Sequence, residues 1–129
     1  MSKVARGGGS VTVLATGLMG VAGLAVDGAS VYCSAASNKT VVKFPIGGGG
    51  VTTLAASPSP SGIAVDATRV YWADLSASTV VTVLRGGGSV TTLASGQTPE
   101  GVGVEGIAVD ATSVYWVTGD GTVKKVAKP

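Results

Sequence analysis

Three stretches of this 129-residue chain repeat one another. GLAVDGASVYCSAASNKTVVKFPIGGGGVTTLAAS (Gly23–Ser57) aligns with GIAVDATRVYWADLSASTVVTVLRGGGSVTTLASG (Gly62–Gly96) and with GIAVDATSVYWVTGDGTVKKVAKP (Gly106–Pro129). Asp27, Asp66 and Asp110 recur about 40 residues apart, and Tyr32, Tyr71 and Tyr115 keep one offset from them. A unit recurring at that spacing cannot bury its apolar face alone, so the units must stack.

Each unit reads as four short strands: Gly-Ile/Leu-Ala-Val-Asp, Val-Tyr-Trp/Cys, a Thr-Val-rich third strand and Val-Thr-Thr-Leu-Ala. Val and Thr favour strands, their alternation fits a period of two, and Asp-Ala, Ser/Asn and Gly-Gly-Gly segments supply the turns. No segment carries a helical period. Four antiparallel strands in a unit of about 40 residues mark a β-propeller blade. The fold expected is therefore all-β, with three blades in the chain. Tyr32, Tyr71, Tyr115, Trp72 and Trp116 are expected to pack between blades, and Cys33, at the Trp position of the first, to be buried.

The stretch Gly62–Asp74, ending Tyr71-Trp72-Ala73-Asp74, resembles the YWTD-type and NHL-type propellers. The resemblance covers nearly the whole chain. It departs from the motif at Cys33-Ser34-Ala35 and at Val117-Thr118. The YWTD group is six-bladed, so the resemblance implies that three blades are half a ring.

The expected organisation is one half-propeller unit: a closing strand in residues 1–22, blade one in 23–57, blade two in 58–96 and blade three in 97–129. Residues Lys3-Val4-Ala5-Arg6 echo Lys125-Val126-Ala127-Lys128. The first phrase reads as a stub of a third strand (Lys3–Arg6) and is followed by a fourth strand (Ser10–Ala15). Blade three has only its first three strands. Three blades do not close a ring, and an open arc exposes apolar faces and an unpaired edge. A homodimer of arcs forming a six-bladed ring is expected, with Ser10–Ala15 of each protomer completing the other's third blade by strand exchange and the N-terminal Lys-Val-Ala copy frayed.

Composition narrows function by exclusion. Net charge is +2, no basic field for nucleic acid. Two uncharged runs, Gly7–Val26 and Phe44–Val65, approach bilayer-spanning length, but their glycines and prolines fall in register with the repeat, so no membrane partner is expected. One cysteine excludes an intrachain disulfide. No basic segment followed by an apolar run opens the chain, which reads as a cytosolic, mature or excised form.

Motif matches reduce to turns. Gly101–Gly106 matches G-x-G-x-x-G, but a strand follows where the motif needs a helix. Glu100–Val104 is nearly repeated by Glu105–Val109, a five-residue duplication expected to bulge before blade three's first strand. The Gly-Gly-Gly turns lack the Lys and Ser/Thr of a phosphate loop. Asp27, Asp66 and Asp110 are placed to accept turn N–H groups. No catalytic, cofactor or metal residue is assigned. The resemblance implies ligand binding on the face of the loops joining strands two to three and four to one. The ionisable residues there are Lys39, Asp74, Glu100, Glu105 and Asp120, and a solvated rim is the plainer reading.

Three functional expectations follow. The first is a non-catalytic scaffold or binding module that self-assembles into a ring, with the chain itself as partner. The second is a propeller-type enzyme; with no His in the chain, it would need a carboxylate metal site from Asp74, Asp120, Glu100 and Glu105. The third is an excised or engineered propeller fragment whose only property is assembly.

Overall fold

The alternating Val/Thr runs become strands, and the Gly and Asp clusters between them become turns. A computed structural model describes residues 1–96 and 104–129 (backbone alone at 104 and 105), with thirteen strands and no helix among them. The first two strands, β1 (Ser2–Lys3) and β2 (Thr12–Val13), form a hairpin. A four-stranded meander follows: β3 (Val21–Val26), β4 (Ser30–Ala35), β5 (Thr40–Pro45) and β6 (Thr52–Ala56). A second runs through β7 (Pro60–Val65), β8 (Arg69–Asp74), β9 (Thr79–Leu84) and β10 (Thr91–Ala94). The last sheet has three strands, β11 (Val104–Val109), β12 (Ser113–Thr118) and β13 (Val123–Ala127). These are blades one, two and three.

The expected strands are present with adjusted bounds. The stub expected at Lys3–Arg6 is Ser2–Lys3, and the fourth strand expected at Ser10–Ala15 is Thr12–Val13. The duplicated segment lies largely outside the described residues. The register does shift between Val104 and Gly106, but it shifts equally between Val21 and Gly23 in blade one. That irregularity therefore belongs to the repeat, not to the duplication. The turn after each third strand is the same three times: Gly8, Gly48 and Gly87 have φ of 89°, 89° and 93°, and their N–H groups reach Ala5, Pro45 and Leu84 carbonyls at 2.8–2.9 Å. Only glycine holds that conformation without strain, which explains the Gly runs.

Period-two alternation gives every blade two apolar faces. One face carries Tyr32 and Val41 in blade one and Tyr71, Ala73 and Val80 in blade two. The other carries Val31, Cys33, Val42 and Phe44 in blade one, Val70, Trp72, Val81 and Val83 in blade two, and Val114 and Trp116 in blade three. The Tyr face of each blade packs on the Trp face of the next, making two interblade cores. Cys33 is fully buried, as expected for a small apolar residue. The N-terminal hairpin covers the Trp face of blade one: Leu14 and Ala15, with Met1 and Leu18, sit against Val31, Cys33, Val42 and Phe44.

Strands β3, β7 and β11 are each first in their sheet, and they meet through glycine. A Cβ at Gly23 would lie 3.0 Å from Ile63 Cγ2 and 3.2 Å from Ile63 N. One at Gly62 would lie 3.4 Å from Ile107 N, while one at Gly106 would meet nothing within 4 Å. Gly23→Ala is therefore expected to lower stability by about 1–3 kcal/mol through overpacking, and Gly106→Ala to change the isolated chain little. Thermal unfolding followed by circular dichroism checks this; equal losses at the two sites would contradict the interblade packing described.

Candidate functional site

The turn between the first and second strands is built identically in all three blades. Asp27 Oδ1 accepts the N–H groups of Ala29 and Ser30, both at 2.7 Å, and Oδ2 accepts the Tyr32 hydroxyl at 2.8 Å. Asp66 repeats this with Thr68, Arg69 and Tyr71, and Asp110 with Thr112, Ser113 and Tyr115. The turn role expected of these aspartates is thus observed. The tyrosine contact was missed, although Asp and Tyr at a constant five-residue offset was the available signal.

Charges from the following blade join two of these sites. Arg85 at the end of β9 pairs with Asp27, and Lys128 after β13 pairs with Asp66 at 2.7 Å, its Nζ 5.6 Å from the Tyr71 ring centre. Burial alone would raise the Asp66 carboxyl, but Lys128, the turn N–H groups and Tyr71 outweigh it and hold it far below the usual range. Asp27 is lowered for the same reasons, with Arg85 as the cation. Asp110 has no partner blade here, yet hydrogen bonds from Thr112, Tyr115 and Ser113 lower it from 3.8 to about 2.

The expected rim behaves differently. Asp74 is buried, not a rim carboxylate: Oδ2 accepts the Ser57 hydroxyl, which in turn accepts Trp72 Nε1–H at 3.1 Å. Oδ1 accepts Ser76 N–H, Ser76 O–H and Ala77 N–H. Asp74 is occupied in tying the end of blade one to blade two. Asp120 accepts the Thr118 hydroxyl and Thr122 N–H within its own loop. Lys39 is exposed and left-handed (φ 57°), at the turn position that Ser78 (φ 54°) and Gly121 (φ 83°) take in the other blades. Glu100 and the Glu105 side chain lie outside the described residues, as do Gly101 to Gly103 of the glycine motif. Among the described residues no three His, Cys, Asp or Glu side chains are grouped to hold a metal ion. No helix among the described residues is long and apolar enough to cross a membrane.

A cavity lies at the opposite end of the blades. A cleft of about 580 Å³ opens between blades two and three, lined by Asp66, Arg69, Tyr71, Asp110 and Lys128 among others. The other conspicuous surface is the uncovered Tyr face of blade three. Val123 is 69% exposed where its equivalent Val80 is 0%, and Val117 is 38% exposed where Ala73 is 0%. Tyr115 is half-buried, whereas Tyr32 and Tyr71 are buried. Gly106, Ile107, Trp116, Val117 and Val123 line a shallow apolar cavity of about 300 Å³ there.

These sheets define the chain as β-propeller blades, and comparison with solved structures agrees. It is similar to a chain in the crystal structure of a nidogen/laminin complex, with a TM-score of 0.79 and 20% identity over 90% of this chain and 47% of that one. It is similar to a catalytically inactive virginiamycin B lyase from Staphylococcus aureus, solved with quinupristin, with a TM-score of 0.75 and 10% identity over 99% of this chain and 44% of that one. The chain thus spans less than half the length of both. It spans 96% of the computationally designed Ika4 protein, with a TM-score of 0.53 and 14% identity. No family model and no curated protein sequence matches it.

Two measurements test the site. The three turn carboxylates sit below their unfolded values, so they contribute stability above the unfolded pKa that is lost as pH falls through the folded one. For Asp110 that window runs from 3.8 to about 2. The thermal midpoint is expected to drop across it, less steeply in Asp110→Asn; an identical profile in the variant would contradict the assignment. Separately, the Trp116 indole N–H is buried without a hydrogen-bond partner among the described residues; Gly96 stands where blade one has Ser57. Trp72→Phe should therefore cost about 1 kcal/mol or more beyond Trp116→Phe, because it leaves the buried Ser57 hydroxyl, which still donates to Asp74, without the N–H it accepts. Denaturant titration of both variants reads the difference.

Proposed function

We propose that this chain is a non-catalytic propeller module, a half-ring that closes by pairing with a second copy of itself. The observation that carries the reading is the bare Tyr face of blade three. It has the composition of the two faces that blades one and two bury, and nothing among the described residues covers it. In a two-fold ring, blade three of each protomer would pack on blade one of the other, and β2 would lie beside β13 as the fourth strand of that blade. The reading is supported by Leu24, 50% exposed in blade one where its equivalent Ile63 is 7% exposed in blade two. Ile63 seats against Gly23, and Gly106 is the open glycine that Leu24 of a second copy would meet. Each half-exposed apolar side chain so covered contributes roughly 1 kcal/mol, about half the value for full burial. The module would act as a scaffold or binding platform. Of the four carboxylates a metal-dependent enzyme would draw on, Asp74 spends both oxygens on its own loop and the blade junction and Asp120 Oδ1 accepts from its own loop, while Glu100 and the Glu105 side chain lie outside the described residues.

Light scattering across a concentration series tests this. The expected mass is twice 12.5 kDa, falling to the single-chain value in Val123→Asp and Gly106→Val while their circular dichroism is unchanged. A monomer at all concentrations would overturn the proposal.

A further inference from the structure

The N-terminal hairpin reproduces the outer half of a blade. Lys3 pairs with Thr12 and Ser2 with Val13. The equivalent positions in blade one pair as Lys43 with Thr52 and Val42 with Thr53, and in blade two as Thr82 with Thr91 and Val81 with Thr92. Met1 holds Val41's place, its carbonyl accepting Leu14 N–H at 2.7 Å and its amino group donating to Ala15 O at 2.7 Å. One interblade contact is also copied. Lys43 Nζ donates to Arg85 O in the next blade at 2.8 Å, and Lys3 Nζ donates to the equivalent Ile46 O at 2.9 Å. In blade three the same repeat positions are Val123, Lys124 and Lys125, followed by Val126-Ala127-Lys128, which parallels Val4-Ala5-Arg6.

We propose that the groove beside β2 on blade one is the docking site for Val123–Lys128 of a second copy, and that Met1–Arg6 is a displaceable occupant of that site. The inference rests on the ring reading above and adds how ring closure is restrained. The stub fits the groove incompletely. Its strand has two residues where β13 has five. A groove of about 410 Å³ remains beside it, lined by Met1, Lys3, Leu14, Leu24, Val26 and Val31 among others, and Leu24 and Val26 stay 50% exposed. On docking, Lys125 takes the Ile46 carbonyl from Lys3, Val123 takes the place of Met1, and the free edge of β13 gains β2. The two strands carry the same phrase and compete for one register, so closing the ring costs the stub its pairing.

Removal of residues 2–6 tests this against the full chain. The shortened chain is expected to dimerise at least tenfold more tightly by sedimentation equilibrium. In the full chain, hydrogen exchange should show protection near Ser2 and Lys3 falling, and protection in Val123–Ala127 rising, as concentration drives assembly. If the full chain dimerises while Ser2 and Lys3 stay protected, or if the shortened chain dimerises equally or less tightly, the displacement is wrong although the ring stands. If neither chain doubles its mass, both proposals fall.

Discussion

Packing of a Tyr face on the Trp face of the following blade holds this molecule together. No sheet here is buried on both sides by its own loops, so each depends on a neighbour. Blade two has one on either side, and Tyr71, Trp72, Val80 and Val83 are accordingly almost inaccessible to solvent. Blade one has blade two on its Tyr face and only a short hairpin on its Trp face. Blade three has no neighbour on its Tyr face among the described residues. The gradient of burial along the arc, from Val80 to Val123, is the direct physical reading of that dependence.

The polar groups follow the same geometry. Asp27 and Asp66 each bind their own turn and tyrosine, then receive a cation from the next blade. These carboxylates are charged because the turn N–H groups and the tyrosine hydroxyl favour the ionised form, and the cation adds to that. The Ser57–Asp74–Trp72 chain does equivalent work at the other end of the blades. Both arrangements lock adjacent blades in register, which apolar packing alone leaves free to slide. The carboxylate at the YWTD-like motif is thereby a joint between blades.

Much of this was legible in the chain. Repeated Gly-Ile-Ala-Val-Asp and Val-Tyr-Trp phrases, with Gly-Gly-Gly between them, specify the strands, their order and their turns, because period-two patterning and positive-φ glycine are local properties. The turn role of Asp66 was readable for the same reason. The fate of Asp74 was not: its position at a strand end looks equally suited to a solvated loop. Only the approach of Ser57 from another blade makes it buried. Lys39 was readable as a polar loop residue but not as one of three left-handed turn positions.

What the sequence by itself determined is therefore the blade: four strands, two apolar faces, a carboxylate turn and a glycine turn, each set by interactions within a few residues. What only the tertiary structure decided is which blade faces are covered. Val80 and Val123 each follow a threonine at the same position of the repeat, and they meet opposite fates in space. Solvent exposure is a property of the arrangement of sheets, and a repeat, by being the same each time, carries no mark of which copy stands last.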